Sequence, residues 1–360
     1  MFKKYFQKLI FSLLVVFFTF SGLFIYLKVI NQEQKNDEGF AGATPTKSNK
    51  FVCEANDFNC VKSLIVDLNG SNENVLLLGN SQLGAINQFS KGEINYAHKL
   101  SIDINKNRDT PLTLRSIWVP NATLAEFKEI YLSIRKCKTE IDNLILPLFL
   151  DDTREQTIRK SLQNYSSNIC SSSKPLSRSK YEKESNLDNI SNSDKLDKTI
   201  LKRTLILKDI QSINSHFRVF LYKLRNSIFG IKASSKRKLI PAAYKFNVEA
   251  LKNIIDLRES SSMPTMLYIP PLLHFASGKE IPYFKDEYLN FKNEMKYMCD
   301  NENCIFFDLD SIIPDNKWGY KNSTNLLGEN KELDFMHFTY DGHQIISKRL
   351  SIILNNFIKE

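Results

Sequence analysis

The sequence predicts an α/β domain built on a parallel sheet covered on both faces, and three observations carry that prediction. Short continuous apolar runs alternate with amphipathic stretches along the chain. One of those runs ends in Gly79-Asn80-Ser81, and an Asp-x-x-His segment, Asp334 to His337, stands directly before the last helical stretch. Strands buried on both faces read as unbroken apolar runs, and crossover helices supply the cover that a parallel sheet needs.

The strand candidates are Asn74–Leu78, Ser116–Val119, Asn143–Phe149, Thr265–Ile269 and Cys304–Leu309. The helix candidates are Gln82–Phe89, Leu124–Cys137, Thr153–Asn164, Ala242–Leu257, Lys285–Met298 and Gly342–Ile358. Ser161–Lys198 breaks the alternation, being rich in Ser, Asn, Lys and Asp, and is expected to form a surface loop. Thr199–Lys232 follows with a basic helical stretch in which Phe217, Phe220, Leu221, Leu224, Ile228 and Phe229 recur near helical spacing. Such a stripe suits either a membrane surface or packing on the domain itself. An insertion over about 161–237 is therefore expected within a domain spanning 51–360.

The N-terminus lies outside that domain. Leu9–Leu27 is an uncharged, mostly apolar run flanked by Lys3, Lys4, Lys8 and Lys28. About 20 such residues span a bilayer as a helix, and the leading lysines favour a cytoplasmic N-terminus. Residues 1–30 are thus expected to be a transmembrane anchor and 31–50 a polar tether, with the domain periplasmic or extracellular. The competing reading is a cleaved signal peptide, with Ala41-Gly42-Ala43 as its processing site.

The cysteines agree with export. There are six, and the expected pairs are Cys53–Cys60, Cys137–Cys170 and Cys299–Cys304, among the fifteen connectivities that six cysteines allow. Neither close pair has C-x2-C spacing or a neighbouring histidine, so a zinc site is disfavoured. The formal net charge of +9 reflects basic residues clustered in Lys198–Lys238. For an exported chain, anionic lipid or an acidic surface polymer is the natural counterpart, and nucleic acid is not. No phosphate-cradling glycine motif occurs, so no nucleotide cofactor is expected. His337 and His343 lack further ligands beyond Asp334, so no metal is expected either.

The chemistry is expected at the carboxyl edge of the sheet, where ligands bind in open parallel sheets. Val75–Leu78 runs into Gly79-Asn80-Ser81 and then a helical stretch, so Ser81 projects at that edge, with its N–H able to face developing negative charge. The same strand-Gly-polar-Ser pattern also serves as a plain helix cap. Near the C-terminus, Asp334 stands three residues before His337. That spacing lets a carboxylate reach Nδ1 while Nε2 takes a proton from a serine; a purely structural Asp–His bond in the loop before the last helix is the alternative.

Together the two segments resemble the SGNH (GDSL-like) hydrolase superfamily, whose first block carries a serine after the first strand and whose last block is D-x-x-H. The resemblance covers roughly Asn74–Lys359 apart from the insertion. It implies a flavodoxin-like three-layer sandwich, with Ser81 as nucleophile, His337 as general base and Asp334 as the orienting acid. The chain departs from the pattern in having Asn80 for the usual Asp of G-D-S, no clear block-two glycine and no G-x-N-D block. Asn121, in Trp118-Val119-Pro120-Asn121-Ala122, is the substitute oxyanion donor beside the Ser81 N–H, or else the N-cap of Leu124–Cys137. These departures, with the anchor, are similar to the DltD-like and alginate-acetylation-like membrane-tethered branch. That likeness implies acyl transfer onto a cell-surface polysaccharide, with a membrane-bound O-acyltransferase as partner. Arg154 is the candidate for an anionic substrate group, with pairing to Asp151 or Asp152 as the alternative, and His274, beyond Pro270-Pro271, is a candidate at the same edge.

Overall fold

The computed structural model describes residues 43–106, 108–170, 220–232, 235–258, 265–273, 282–301, 303–326 and 331–358. The apolar run at 9–27, most of the basic stretch before 220, and His274 lie outside them. Among the described residues no helix is long and apolar enough to cross a membrane.

The chain divides into two compact units. The smaller holds a short helix over 220–228 together with Thr324–Leu326. Asn226 donates its carboxamide to the Thr324 carbonyl at 3.0 Å, and the Leu326 N–H donates to Ser227 Oγ at 2.8 Å.

The larger unit is an α/β layer structure around a six-stranded sheet. Its strands are β2 (Val52–Glu54), β3 (Asn74–Gly79), β5 (Thr113–Trp118), β6 (Asn143–Pro147), β7 (Thr265–Ile269) and β8 (Cys304–Asp308). They lie in the order β2-β5-β3-β6-β7-β8, every neighbouring pair parallel. Apart from the edge strand β2, this is the flavodoxin-like order that the resemblance implies, with the chain reversing direction across the sheet at β3. Every residue of β3, β6 and β7 is buried, which requires helices on both faces.

Those helices form two packing groups. On one side α1 (Phe58–Asn69), α4 (Leu124–Lys136), α6 (Tyr165–Cys170) and α7 (Pro241–Asp256) pack together; elsewhere α3 (Tyr96–Asp103) packs on the C-terminal α9 (Tyr340–Phe357). The long α8 (Lys285–Asn301) covers β8. Helix α4 shows how the local sequence sets an element's start. Thr123 accepts the Glu126 N–H while Glu126 accepts the Thr123 N–H, a reciprocal cap worth about 1 kcal/mol. Arg159 then binds both Glu126 oxygens, at 2.9 and 2.8 Å, so that a carboxylate 1% exposed is fully paired.

Beyond shifts of up to three residues at element ends, four stretches differ from the sequence reading. The tether does not extend to residue 50, because Ala43–Pro45 is a strand (β1) paired antiparallel with β4 (Ala85–Asn87). The helix expected at Gln82–Phe89 is one turn only, α2 (Ser81–Gly84). At Gly84 the chain passes so close to the Trp118 indole that a Cβ would overlap it, and it then extends to join β1. The helix expected at Thr153–Asn164 is instead a 3-10 turn at Leu150–Thr153 and a later turn α5 (Lys160–Gln163). Local bonds compete with the helix there: Thr153 Oγ1 donates to the Leu150 carbonyl and Asp152 accepts the Phe149 N–H. Finally, the insertion does not begin at 161. Tyr165 and Ile169 are buried, and Tyr165 donates to the Ala55 carbonyl at 2.8 Å.

Beside the main sheet, β9 (Trp318–Asn322) and β10 (Lys331–Phe338) form an antiparallel pair that no apolar run announces. All three expected disulfides, Cys53–Cys60, Cys137–Cys170 and Cys299–Cys304, are present, and the described residues hold no free cysteine. The second ties α6 to the end of α4 across 33 positions, whereas the third spans 5. Loop-closure entropy then predicts losses of about 4 and about 2 kcal/mol on removal. Denaturant titration of the Cys137→Ser/Cys170→Ser and Cys299→Ser/Cys304→Ser variants should therefore show the larger loss for the first.

Candidate active site

Because the order reverses at β3, the loops after β5 and β6 flank its carboxyl end, where ligands bind in open parallel sheets. The residue after that strand is Asn80 and the next is Ser81. Asn80 caps the single turn of α2, its Oδ1 accepting the Gln82 N–H at 3.1 Å. Gly79 precedes it for reasons of packing. Its backbone does not lie in the left-handed region that a glycine-dependent turn would require, but a Cβ there would overlap Leu83 and Pro147.

Ser81 is bonded across the chain. Its Oγ lies 3.0 Å from His337 Nε2, and His337 Nδ1 lies 3.0 Å from Asp334 Oδ2. All three side chains are buried. Asp334 and His337 do not sit in a loop, as the sequence suggests, but within β10. Leu333 pairs with Tyr320 and Phe338 with Trp318, so the ladder is interrupted between them. Such bulges re-aim side chains next to functional sites. Here the Asp334 carboxylate takes over from the ladder, Oδ1 accepting the N–H groups of Met336 at 3.0 Å and His337 at 3.2 Å.

Oδ2 accepts a further bond, from Asn87 Nδ2 at 3.1 Å. Asn87, on β4, was not anticipated from the sequence, since it has no motif around it. It also accepts the Tyr320 N–H at 3.2 Å, and a Cβ at Gly319 would overlap its side chain. Burial pushes the Asp334 carboxyl up in pKa. The His337 charge, the bonds from His337 and the Met336 N–H, and the Lys321 charge more than reverse that, leaving it below the usual carboxylate value. Asp334 is thus an anion at neutral pH, which sets the tautomer of His337 with its proton on Nδ1 and leaves Nε2 as acceptor for the Ser81 hydroxyl.

Gln82 is a second unanticipated member. It is 1% exposed, and its Nε2 donates to the Met336 carbonyl at 2.7 Å and the Pro271 carbonyl at 2.8 Å. The residue after Ser81 is thereby tied to the residue before His337.

Other expected members are placed differently. Asn121 is exposed, with φ of 48°, and its carbonyl accepts Arg159 Nη2 at 2.8 Å. It does not cap α4, because Thr123 does, and its side chain forms no hydrogen bond among the described residues. Of the two expected oxyanion donors, Asn121 stands in the loop after β5 and the Ser81 N–H at the start of α2. With α2 reduced to one turn, that N–H acts as a local dipole rather than as the end of a long helix. Arg154 pairs with Asp151 at 3.1 Å, the alternative weighed from the sequence. Asp151 also accepts Arg237 and Tyr283, each at 3.0 Å. His343 is fully buried, its Nδ1 accepting the Tyr96 N–H at 3.1 Å and its ring packed against both Tyr96 and Phe338. No group of His, Cys, Asp and Glu among the described residues is arranged to hold a metal ion.

No family model matches the sequence, and no curated protein matches it. Among solved structures, the chain is similar to LAE5, an alpha/beta hydrolase enzyme from the metagenome of Lake Arreo, at 10% identity and a TM-score of 0.42, covering 79% of this chain and 95% of that one. Axe2, an acetylxylan esterase from Geobacillus stearothermophilus, follows at 9% identity and a TM-score of 0.40, covering 80% and 95%. The lipase Lip_vut3 from the goat rumen metagenome shows 11% identity and a TM-score of 0.39, covering 79% and 98%. Likenesses this distant carry no function, which has to be argued from the side chains themselves.

Burial, then the nearby His337, lowers the pKa of His343 to about 3. The unfolded chain binds that proton near pH 6.5. Stability from this residue is therefore complete above about pH 6.5 and falls by up to about 1.4 kcal/mol per pH unit as pH drops toward 3. His343→Gln keeps an acceptor for the Tyr96 N–H, and urea midpoints measured from pH 7 to pH 4 should fall less steeply for it than for the wild type.

Proposed function

We propose that this chain is a serine-dependent acyl-transfer enzyme that moves an acetyl or other small acyl group onto a cell-surface or exported polysaccharide. The observation that carries the acyl chemistry is the unbroken line Ser81–His337–Asp334, with both contacts at 3.0 Å. In this reading Ser81 Oγ attacks the acyl carbonyl and its proton passes to His337 Nε2. Asp334 stabilises the resulting imidazolium without taking the proton. The oxyanion forms against the Ser81 N–H, and His337 returns the proton to the leaving oxygen as acyl-Ser81 forms. A sugar hydroxyl, deprotonated by His337, then attacks the acyl carbonyl, and His337 returns that proton to Ser81 Oγ as the acyl–Oγ bond breaks. Arg154 remains a candidate for an anionic group of the substrate, since one carboxylate, Asp151, neutralises both Arg154 and Arg237. His274, outside the described residues, stays a candidate on its place in the sequence alone.

Two features of the sequence support transfer to a polymer over simple hydrolysis. The basic-flanked apolar run at Leu9–Leu27 suits a single-pass anchor with the domain outside the cytoplasm. A tethered domain stands where a membrane-bound O-acyltransferase can hand it an acyl group and a surface polysaccharide can receive it. The departures at Asn80 and in the G-x-N-D block make the chain more similar to the DltD-like, alginate-acetylation-like branch.

Purified protein is expected to react with a serine-directed fluorophosphonate and to turn over p-nitrophenyl acetate. Ser81→Ala and His337→Ala should abolish both, and Asp334→Asn should lower kcat by about 10⁴ through the wrong histidine tautomer. A folded wild type that neither labels nor turns over would leave a binding scaffold in place of an enzyme. With an oligosaccharide present, acyl transfer in excess of hydrolysis supports the transferase; release to water alone makes the chain a carbohydrate esterase.

A further inference from the structure

Asn80 stands where the resembled pattern has an Asp, and its surroundings supply a physical reason. Its carboxamide is buried and used at both ends: Oδ1 accepts the Gln82 N–H, and Nδ2 donates to Asp152 Oδ1 at 3.3 Å. Asp152, on the 3-10 turn after β6, is 2% exposed, and its Oδ2 accepts the Phe149 N–H at 3.1 Å. Three bonds thus run in one chain, and each has a fixed polarity. A carboxylate at position 80 could still accept the Gln82 N–H, but its other oxygen would face that of Asp152, and the two could bond only by sharing a proton.

The surroundings sharpen this conflict. Burial raises the Asp152 carboxyl well above its ordinary pKa; the Phe149 N–H and Asn80 bonds offset part of that, and the charges of Asp151 and Glu126 add to it. Asp151 is itself held by Arg154, Arg237 and Tyr283, and Glu126 by Arg159. No cation binds Asp152 directly among the described residues.

We infer that Asp152 is a positioning residue for the nucleophile, acting through Asn80 to hold the turn that aims Ser81 Oγ at His337, and that the two residues form an exchangeable pair. With the two side chains swapped, Asn80→Asp together with Asp152→Asn, every bond survives with one polarity reversed. The carboxylate now at position 80 would accept both the Gln82 N–H and the carboxamide N–H from position 152. The carboxamide oxygen at 152 would in turn accept the Phe149 N–H. Neither single change manages this. Asp152→Asn alone sets a donor against either Asn80 Nδ2 or the Phe149 N–H, and Asn80→Asp alone sets carboxyl against carboxyl.

The inference rests on Ser81 being the nucleophile, and the test separates the two. The rate of fluorophosphonate labelling is measured from pH 5 to pH 9 for full-length wild type, Asn80→Asp, Asp152→Asn and the double exchange, with thermal midpoints alongside. Asn80→Asp should label about tenfold or more slowly than wild type at pH 8, through a misaimed hydroxyl. Relative to wild type it should recover part of that loss toward pH 5, where one shared proton bridges the pair. The double exchange should return to within about threefold of wild type at every pH. A folded Asn80→Asp that labels at the wild-type rate throughout, or a double exchange no faster than Asn80→Asp, overturns the inference. If Asn80→Asp does not fold, the comparison is between the double exchange and Asp152→Asn, and a double exchange that is no faster overturns it equally. An unlabelled wild type fails earlier, by removing Ser81 as nucleophile.

Discussion

A buried carboxylate that must be fully paired organises this site. Asp334 is 1% exposed and accepts from four donors: the Met336 and His337 N–H groups, the His337 ring and Asn87. An anion in so apolar a setting is tolerable only with that complement. The requirement reaches far along the chain. Asn87 must be on β4, β4 must be held by β1, and β9 must bring a glycine against Asn87 to leave it room. Gln82 closes the arrangement from the other side by fixing the Met336 carbonyl. The imidazole is therefore aimed by backbone and side-chain bonds from several segments, which is how a catalytic geometry is held within a fraction of an ångström.

The sheet supplies the second half. Because the chain leaves β3 first toward β5 and then toward β6, the loops after those two strands border the turn that carries Ser81. The loop after β6 does more than border it. Asp152 there holds Asn80, so the nucleophile's turn is tied laterally to a neighbouring strand end as well as across to β10. Single-turn helices have little stability of their own, so such outside ties must define α2.

Much of the fold was legible along the chain because the strands buried on both faces read as unbroken apolar runs. All five expected strands are present, and Thr265–Ile269 matches to the residue. Errors gathered where local bonds or close approaches outweigh periodicity. Gln82–Phe89 has helical spacing, yet Gly84 against Trp118 and pairing with β1 turn the chain after one turn. At 153–164 the side chains of Asp152 and Thr153 capture the backbone first. The β9–β10 pair escaped notice because β9 and β10 mix polar, charged and apolar residues without a clean alternation, and a bulge breaks the ladder.

The same division holds at the site. By itself the sequence determined which residue types stand at which ends of elements: a serine just past a buried strand, an Asp three residues before a His, and paired cysteines. Those are properties of short-range spacing and of apolar runs, which need no knowledge of partners. Only the tertiary structure decided what completes the site. Asn87, Gln82 and Asp152 carry no local signature, because what each satisfies lies tens to hundreds of positions away. It also gave the cap of α4 to Thr123, where the sequence offered Asn121 as the alternative. Buried hydrogen bonds are paid for by the partner and not by the neighbour in sequence, so the Asp-x-x-His was readable where its supports were not.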